Sequence, residues 1–173
     1  MVGHGDETIE AQVDFALPTG GDDRSIAFWM KGADTAPGNR MLVGYGNTTD
    51  RQMSSVIQGL GGQPASTFGF WGWGADVPSV STITNDTWHH IAVSIAGTDV
   101  TGFLDGNVAN TATIAALETP ADTTLWVGNF SAIMGPYQGA FDEVIVLNVA
   151  LQQGQVQSLM KGIATAIPPA VDP

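Results

Sequence analysis

Two acids standing side by side, two histidines standing side by side, and a run dense in tryptophan are the features of this sequence that could do chemistry. The acidic pairs are Asp6-Glu7, Asp22-Asp23 and Asp142-Glu143. Cleaving a glycosidic bond takes two carboxylates facing each other across the sugar, ~5–5.5 Å apart for retention or ~6.5–9.5 Å for inversion. Neighbours on a strand point to opposite faces, so Asp142 and Glu143 cannot flank one bond, and the other two pairs fall in turn-like segments. The same alternation separates His89 from His90, which therefore cannot share a metal ion. A Gly-x-Ser-x-Gly nucleophile elbow and a phosphate-cradling Gly-x-x-x-x-Gly-Lys are both absent from the sequence. The expectation is that the chain is not an enzyme.

The aromatic run is Phe68-Gly69-Phe70-Trp71-Gly72-Trp73-Gly74. Read as a strand, it puts Phe68 and Phe70 on one face, and Trp71 and Trp73 on the other beside Gly69. Two indoles on a face otherwise cleared by glycine could hold a sugar ring, whose C–H face packs on an aromatic plane. A central strand buried on both faces would carry the same residues as core, and the sequence leaves both readings open. Tyr45 and Tyr137, in glycine-rich surroundings, could rim such a site.

Composition removes several classes of partner. The chain has 173 residues, 17 acids against 5 bases, a formal net charge of -12 and no cysteine. Duplexes and anionic membranes repel such a surface, so nucleic-acid binding is excluded and cations or neutral ligands remain. Disulfides, zinc fingers and thiol chemistry go with the missing cysteine. No run approaches the ~18 apolar residues of a membrane span. The opening Met1 to Glu7 lacks the pattern of a signal peptide, and Ile167 to Pro173 reads as a stiff linker. We therefore expect one domain over 1–163 with a proline-rich tail over 164–173, cut from a larger protein.

The elements that must position these residues are short strands. Ser25–Lys31, Met41–Tyr45, Ser54–Gln58, Ser66–Trp73, Trp88–Ile95, Asp99–Leu104, Thr123–Val127 and Gly139–Leu147 are apolar or alternating, and glycine-rich turns separate them. Asp105-Gly106 suits a tight hairpin turn. About ten to twelve strands are expected, which predicts an all-β, two-sheet antiparallel sandwich of jelly-roll type. Leu151, Val156, Leu159 and Met160 fall near helical spacing within Gln152–Lys161, and Gly162 stands where a C-terminal cap belongs. One short C-terminal helix is predicted.

Four segments in order carry a resemblance. They are Thr87 to Ser94 with its Trp88-His89-His90, Val100 to Gly106 ending Phe103-Leu104-Asp105-Gly106, Leu125 to Asn129, and Tyr137 to Val146 containing Gly139-Ala140-Phe141-Asp142-Glu143-Val144. Gly5 to Ile9 resembles the opening motif of the same family, and Ser25 to Lys31 its second core strand. The chain resembles the laminin-G-like domains of the concanavalin A-like lectin/glucanase superfamily from about Gly5 to Met160. Phe103 replaces the family's usual Tyr, and the strand that normally precedes the opening motif is missing. A sheet edge could thus be left open as a site of homodimer formation. The resemblance makes Trp88 a core anchor and implies a structural calcium on Asp142, with Asp6 as neighbour. The superfamily's hydrolases carry Glu-x-Asp-x-x-Glu on one strand, and Glu-x-Asp occurs nowhere here. The function implied is a non-catalytic, lectin-like module of a secreted or cell-surface protein that binds a neutral or weakly charged glycan. The alternative is a structural or protein-interaction module without a glycan.

Overall fold

Two antiparallel sheets face each other across one apolar core. The computed structural model describes residues 9–11, 16–32, 38–64, 66–121, 123–130 and 134–162. In chain order the strands are β1 (Ile9–Ala11), β2 (Arg24–Gly32), β3 (Arg40–Gly46), β4 (Met53–Gln58), β5 (Thr67–Trp71), β6 (Val77–Thr82), β7 (Trp88–Ala96), β8 (Asp99–Leu104), β9 (Asn107–Thr113), β10 (Leu125–Val127) and β11 (Gly139–Leu147). One sheet runs β1-β10-β3-β4-β5-β6 and the other β11-β2-β7-β8-β9. The predicted sandwich is the fold observed.

Alternation accounts for the core. Ile26, Phe28 and Met30 of β2 and Ile91, Val93 and Ile95 of β7 turn inward, with Phe28 opposite Ile91 and Ile26 opposite Val93. Val43, Tyr45, Val56, Phe68 and Phe70 of the other sheet meet them. Each buried side chain of this size contributes roughly 1.5–3 kcal/mol, so this layer is what holds the sheets together. The Asp105-Gly106 turn forms as expected: both residues have positive φ, 50° and 74°, the requirement of the tightest hairpin turn.

The expected helix, α1 (Gln153–Leu159), lies on the outer face of the five-stranded sheet. Gln152 and Gln155 cap its start reciprocally, and Leu151, Val156 and Leu159 pack on Ala27, Ala92 and Phe103. Ser25 Oγ accepts from the Leu151 N–H and donates to the Val149 carbonyl, both at 2.9 Å, so the chain entering the helix is pinned to β2. Three strands were not among those read from the sequence, the three-residue β1 and the edge strands β6 and β9. β6 contains Pro78, tolerated because β6 is a sheet edge, and β9 is a polar edge strand whose alternation is too weak to read. The long edge strand β11 is interrupted by a bulge between Asp142 and Ile145, where Glu143 takes a φ of 48°. Residues 164–173 lie outside the described residues, and no helix among the latter is long and apolar enough to cross a membrane.

Candidate functional site

The outer face of the six-stranded sheet carries a second apolar cluster. Met41, Met53, Ile57, Trp71, Phe130 and Met134 form it together with Leu60, and Trp73 and Trp126 pack against its margin. The tryptophan run reaches this face partly as predicted. Phe68 and Phe70 enter the inter-sheet core while Trp71 points outward, but the strand ends at Trp71, so alternation does not place Trp73. Trp73 instead sits in the following loop with a left-handed φ of 56°. Its ring still lies over that of Trp71, at 4.8 Å between centroids and 38° between planes. Trp71 is 9% exposed and is the floor, whereas Trp73 is only partly buried and presents the accessible face. Trp126 meets Phe130 edge-on at 4.7 Å on the same side of the sheet.

Three loops lock this corner. Arg51 is likewise left-handed, with φ 58°, and its N–H donates to the Trp73 carbonyl at 2.8 Å. The Arg51 carbonyl accepts from the Glu118 N–H at 2.7 Å, and its guanidinium pairs with the carboxylates of Asp50 and Glu118. Asp76 Oδ1 accepts from the backbone N–H groups of Gly72 at 3.0 Å and Gly74 at 3.3 Å, which closes the turn around Trp73. The rim therefore holds three carboxylates and one guanidinium, a surface that disfavours anionic ligands. Sequence reasoning missed all four polar residues, because the Asp50-Arg51 loop, the Asp76 turn and Glu118 lie far apart in the chain and no local motif joins them.

Tyr45 and Tyr137 do not rim this site. Tyr45 lies within β3, fully buried in the inter-sheet core, because alternation turns it inward beside Val43. Its hydroxyl accepts from Arg24 Nη1 at 3.2 Å. Burial raises its pKa above the usual value, and the neighbouring Arg24 charge opposes that rise. Tyr137 is buried too, its ring tilted against that of Phe141 at 5.2 Å between centroids and lying so close over Gly32 that no side chain would fit there. Trp88, expected as a core anchor, is 43% exposed on the outer face of the five-stranded sheet.

Sequence comparison matches residues 5–157 to the concanavalin A-like lectin/glucanases superfamily. The chain belongs to that superfamily. No curated protein matches it in sequence. Solved structures share its fold at low identity. Domain 4 of AbnA, a GH43 extracellular arabinanase from Geobacillus stearothermophilus solved in complex with arabinotriose, is 19% identical, with 90% of this chain and 82% of that chain covered and a TM-score of 0.65. A heptameric SAP-like pentraxin from Limulus polyphemus is 12% identical over 90% of this chain and 73% of its own, with a TM-score of 0.62. Trypanosoma rangeli sialidase is 14% identical over 84% of this chain, which spans 24% of that enzyme, with a TM-score of 0.61.

Within this superfamily member, the histidines take structural positions. His89 Nδ1 bonds Asp105 Oδ2 at 2.8 Å, and its Nε2 accepts the Thr84 N–H at 3.1 Å, while Asp105 Oδ1 accepts the His90 N–H at 2.9 Å. Trp88-His89-His90 is thus tied to the Asp105-Gly106 hairpin. His90, on the opposite face of the strand, is held down to a pKa of about 4 by burial, with Asp105 opposing the shift. Asp142 stands exposed at the β11 bulge, opposite Trp29, with its Oδ1 accepting from the Glu143 N–H at 2.9 Å. Among the described residues no three His, Asp or Glu side chains gather as a metal site, and Asp6 lies outside the described residues.

Proposed function

We propose that this domain is a non-catalytic carbohydrate-binding module whose ligand is a neutral glycan, bound at the Trp73 corner. The observation that carries this reading is the strain at Trp73. A bulky residue held at positive φ costs about 1–2 kcal/mol, and here the conformation lays a partly exposed indole over Trp71, ringed by Asp50, Asp76 and Arg51. Indole faces stack on the apolar side of a sugar, and carboxylates and a guanidinium bond its hydroxyls. The arabinotriose carried by the domain of the arabinanase supports the same class of ligand. An extracellular or cell-surface setting, within a larger protein, follows as part of the proposal.

Titration with arabinotriose, xylotriose and cellotriose followed by tryptophan fluorescence tests it. Trp73→Ala is expected to abolish binding and leave the fold intact, while Trp71→Ala, which removes the floor, lowers stability as well. An unaltered spectrum with all three sugars favours a structural or protein-interaction module instead. Calcium is a separate proposal: Asp142 would supply a carboxylate, and the bulge beside it leaves backbone oxygens outside the regular ladder, the ligand type that Ca²⁺ takes.

A further inference from the structure

The outer face of the five-stranded sheet changes character along its length. Beneath α1 its side chains are small, Ser25 and Ala27 on β2 against Ser94 and Ala92 on β7. Further along both strands they become large: Trp29 stands opposite His90, and Lys31 opposite Trp88. Trp88 at 43% and Val108 at 48% are the large apolar side chains left exposed among the described residues. Trp29 is partly exposed and meets the His90 ring edge-on at 5.3 Å. His90 is buried and uncharged at neutral pH, so the ring floor of this patch carries no charge, and the exposed carboxylate of Asp142, opposite Trp29 on β11, stands at its margin. The turn before β7, residues 85–87, is exposed and polar, and the Asp86 N–H donates to the Gly32 carbonyl at 2.8 Å, which holds it against the end of β2 beside Lys31.

The size and charge of this surface select its occupant. An indole offers at most ~250 Å², so 43% of Trp88 amounts to roughly 100 Å². A stable protein interface buries ~1,200 Å² or more, and two copies each carrying a net charge of -12 repel. One or two sugar rings match the area, with an apolar face for the indole and hydroxyls for the polar rim. We propose that this face is a second site for a neutral glycan, with Trp88 as platform, Trp29 beside it, and Lys31 and the Asn85–Thr87 turn at its rim. The inference rests on the carbohydrate-binding reading above and sets two sites on opposite faces of the sandwich, so that one domain bridges two glycan chains.

The test uses the intact chain labelled with ¹⁵N and titrated with arabinotriose, xylotriose and cellotriose, reading the indole N–H signals of its five tryptophans, assigned by single Trp→Phe variants. The Trp88 and Trp29 signals are expected to move together on an isotherm separate from that of Trp73. Trp88→Ala should remove that isotherm, keep the Trp73 response and leave the fold intact by circular dichroism, and Trp88→Phe should retain binding weakened severalfold. Movement of Trp73 with Trp88 unmoved overturns the second site and leaves the first standing. Movement of Trp88 alone upholds this site and overturns the Trp73 corner; movement of neither overturns both. A concentration-dependent association in sedimentation that Trp88→Ala abolishes would make the patch a contact between copies and overturn the proposal.

Discussion

Replacing Arg24 should reveal how much of the sandwich end hangs on one side chain. Arg24 is fully buried. Its guanidinium donates to the carbonyls of Asp22 at 2.9 Å, Pro18 at 3.3 Å, Thr19 at 2.8 Å and Gly20 at 2.7 Å, and to Tyr45 Oη at 3.2 Å and Thr119 Oγ1 at 3.0 Å. All six acceptors are neutral, and the bonds tie the chain before β2 to β3 and to the segment before β10. Arg24→Met keeps the bulk and strands these acceptors, three of them in buried surroundings. Each buried orphan costs about 1–3 kcal/mol, while removing the charge returns its own desolvation penalty, so a net loss of about 3–5 kcal/mol is expected. Arg24→Lys carries three donors where six bonds existed, and loses at least three bonds of roughly 1 kcal/mol each. For a domain of this size 1 kcal/mol moves the midpoint by ~2–4 °C, which gives drops of about 6–20 °C for Met and about 6–12 °C for Lys. Thermal melts followed by near-ultraviolet circular dichroism read the midpoints, and hydrogen exchange reads the Gly20 N–H, which donates to Thr119 O at 2.7 Å. Midpoints within about 2 °C of the parent for both variants, with that amide still protected, would refute the argument that the guanidinium holds these segments together.

Acidification provides a second test, through His90. Its native pKa of about 4 lies below the unfolded value of 6.5, so between those values the unfolded chain takes up a proton that the native state refuses. Stability is therefore complete above pH 6.5 and falls as pH drops toward 4, by about 3 kcal/mol at most; urea melts should show this slope, and His90→Phe should flatten it. Gly44→Ala is expected to cost about 1–3 kcal/mol, because the new methyl would stand 2.1 Å from the Ser55 Cβ; an unchanged urea midpoint would contradict the close approach of β3 and β4. If calcium is bound at Asp142, EDTA lowers the melting temperature and Asp142→Ala removes the response; equal melts with and without EDTA in the parent end that proposal.

What the sequence disclosed and what it hid divide along a physical line. β2 and β7 were legible because Ile26, Phe28 and Met30, and Ile91, Val93 and Ile95, put a large apolar residue at every second position, so period-two alternation marks both the strand and its buried face. α1 was legible from the spacing of Val156 and Leu159. Tyr45 was misplaced because, at the end of the strand read as Met41–Tyr45 and flanked by Gly44 and Gly46, it looked like a rim residue, whereas β3 runs on to Gly46 and Gly44 lets β3 and β4 approach closely. Trp88 was misread because the resemblance to the family carried a core role onto it, whereas α1 covers only part of the face it stands on. The Arg24 network and the polar rim of the Trp73 corner were invisible for a common reason. Arg24 reaches Thr119, and Arg51 reaches both Trp73 and Glu118, across separations that only the folded topology closes.

The bulge in β11 has a bearing on how copies of this domain tolerate crowding. A nine-residue strand at a sheet rim, such as Gly139–Leu147, would ordinarily offer its free amides and carbonyls to any passing strand. Here the ladder breaks after Asp142, and the break exposes two carboxylates, Asp142 and Glu143. An incoming backbone would meet a kink and two negative charges where it needs a flat run of partners. Strand-to-strand pairing at this one edge is thereby disfavoured, and the same device guards newly made or densely displayed chains from zipping together along β11 before each has closed its own sandwich.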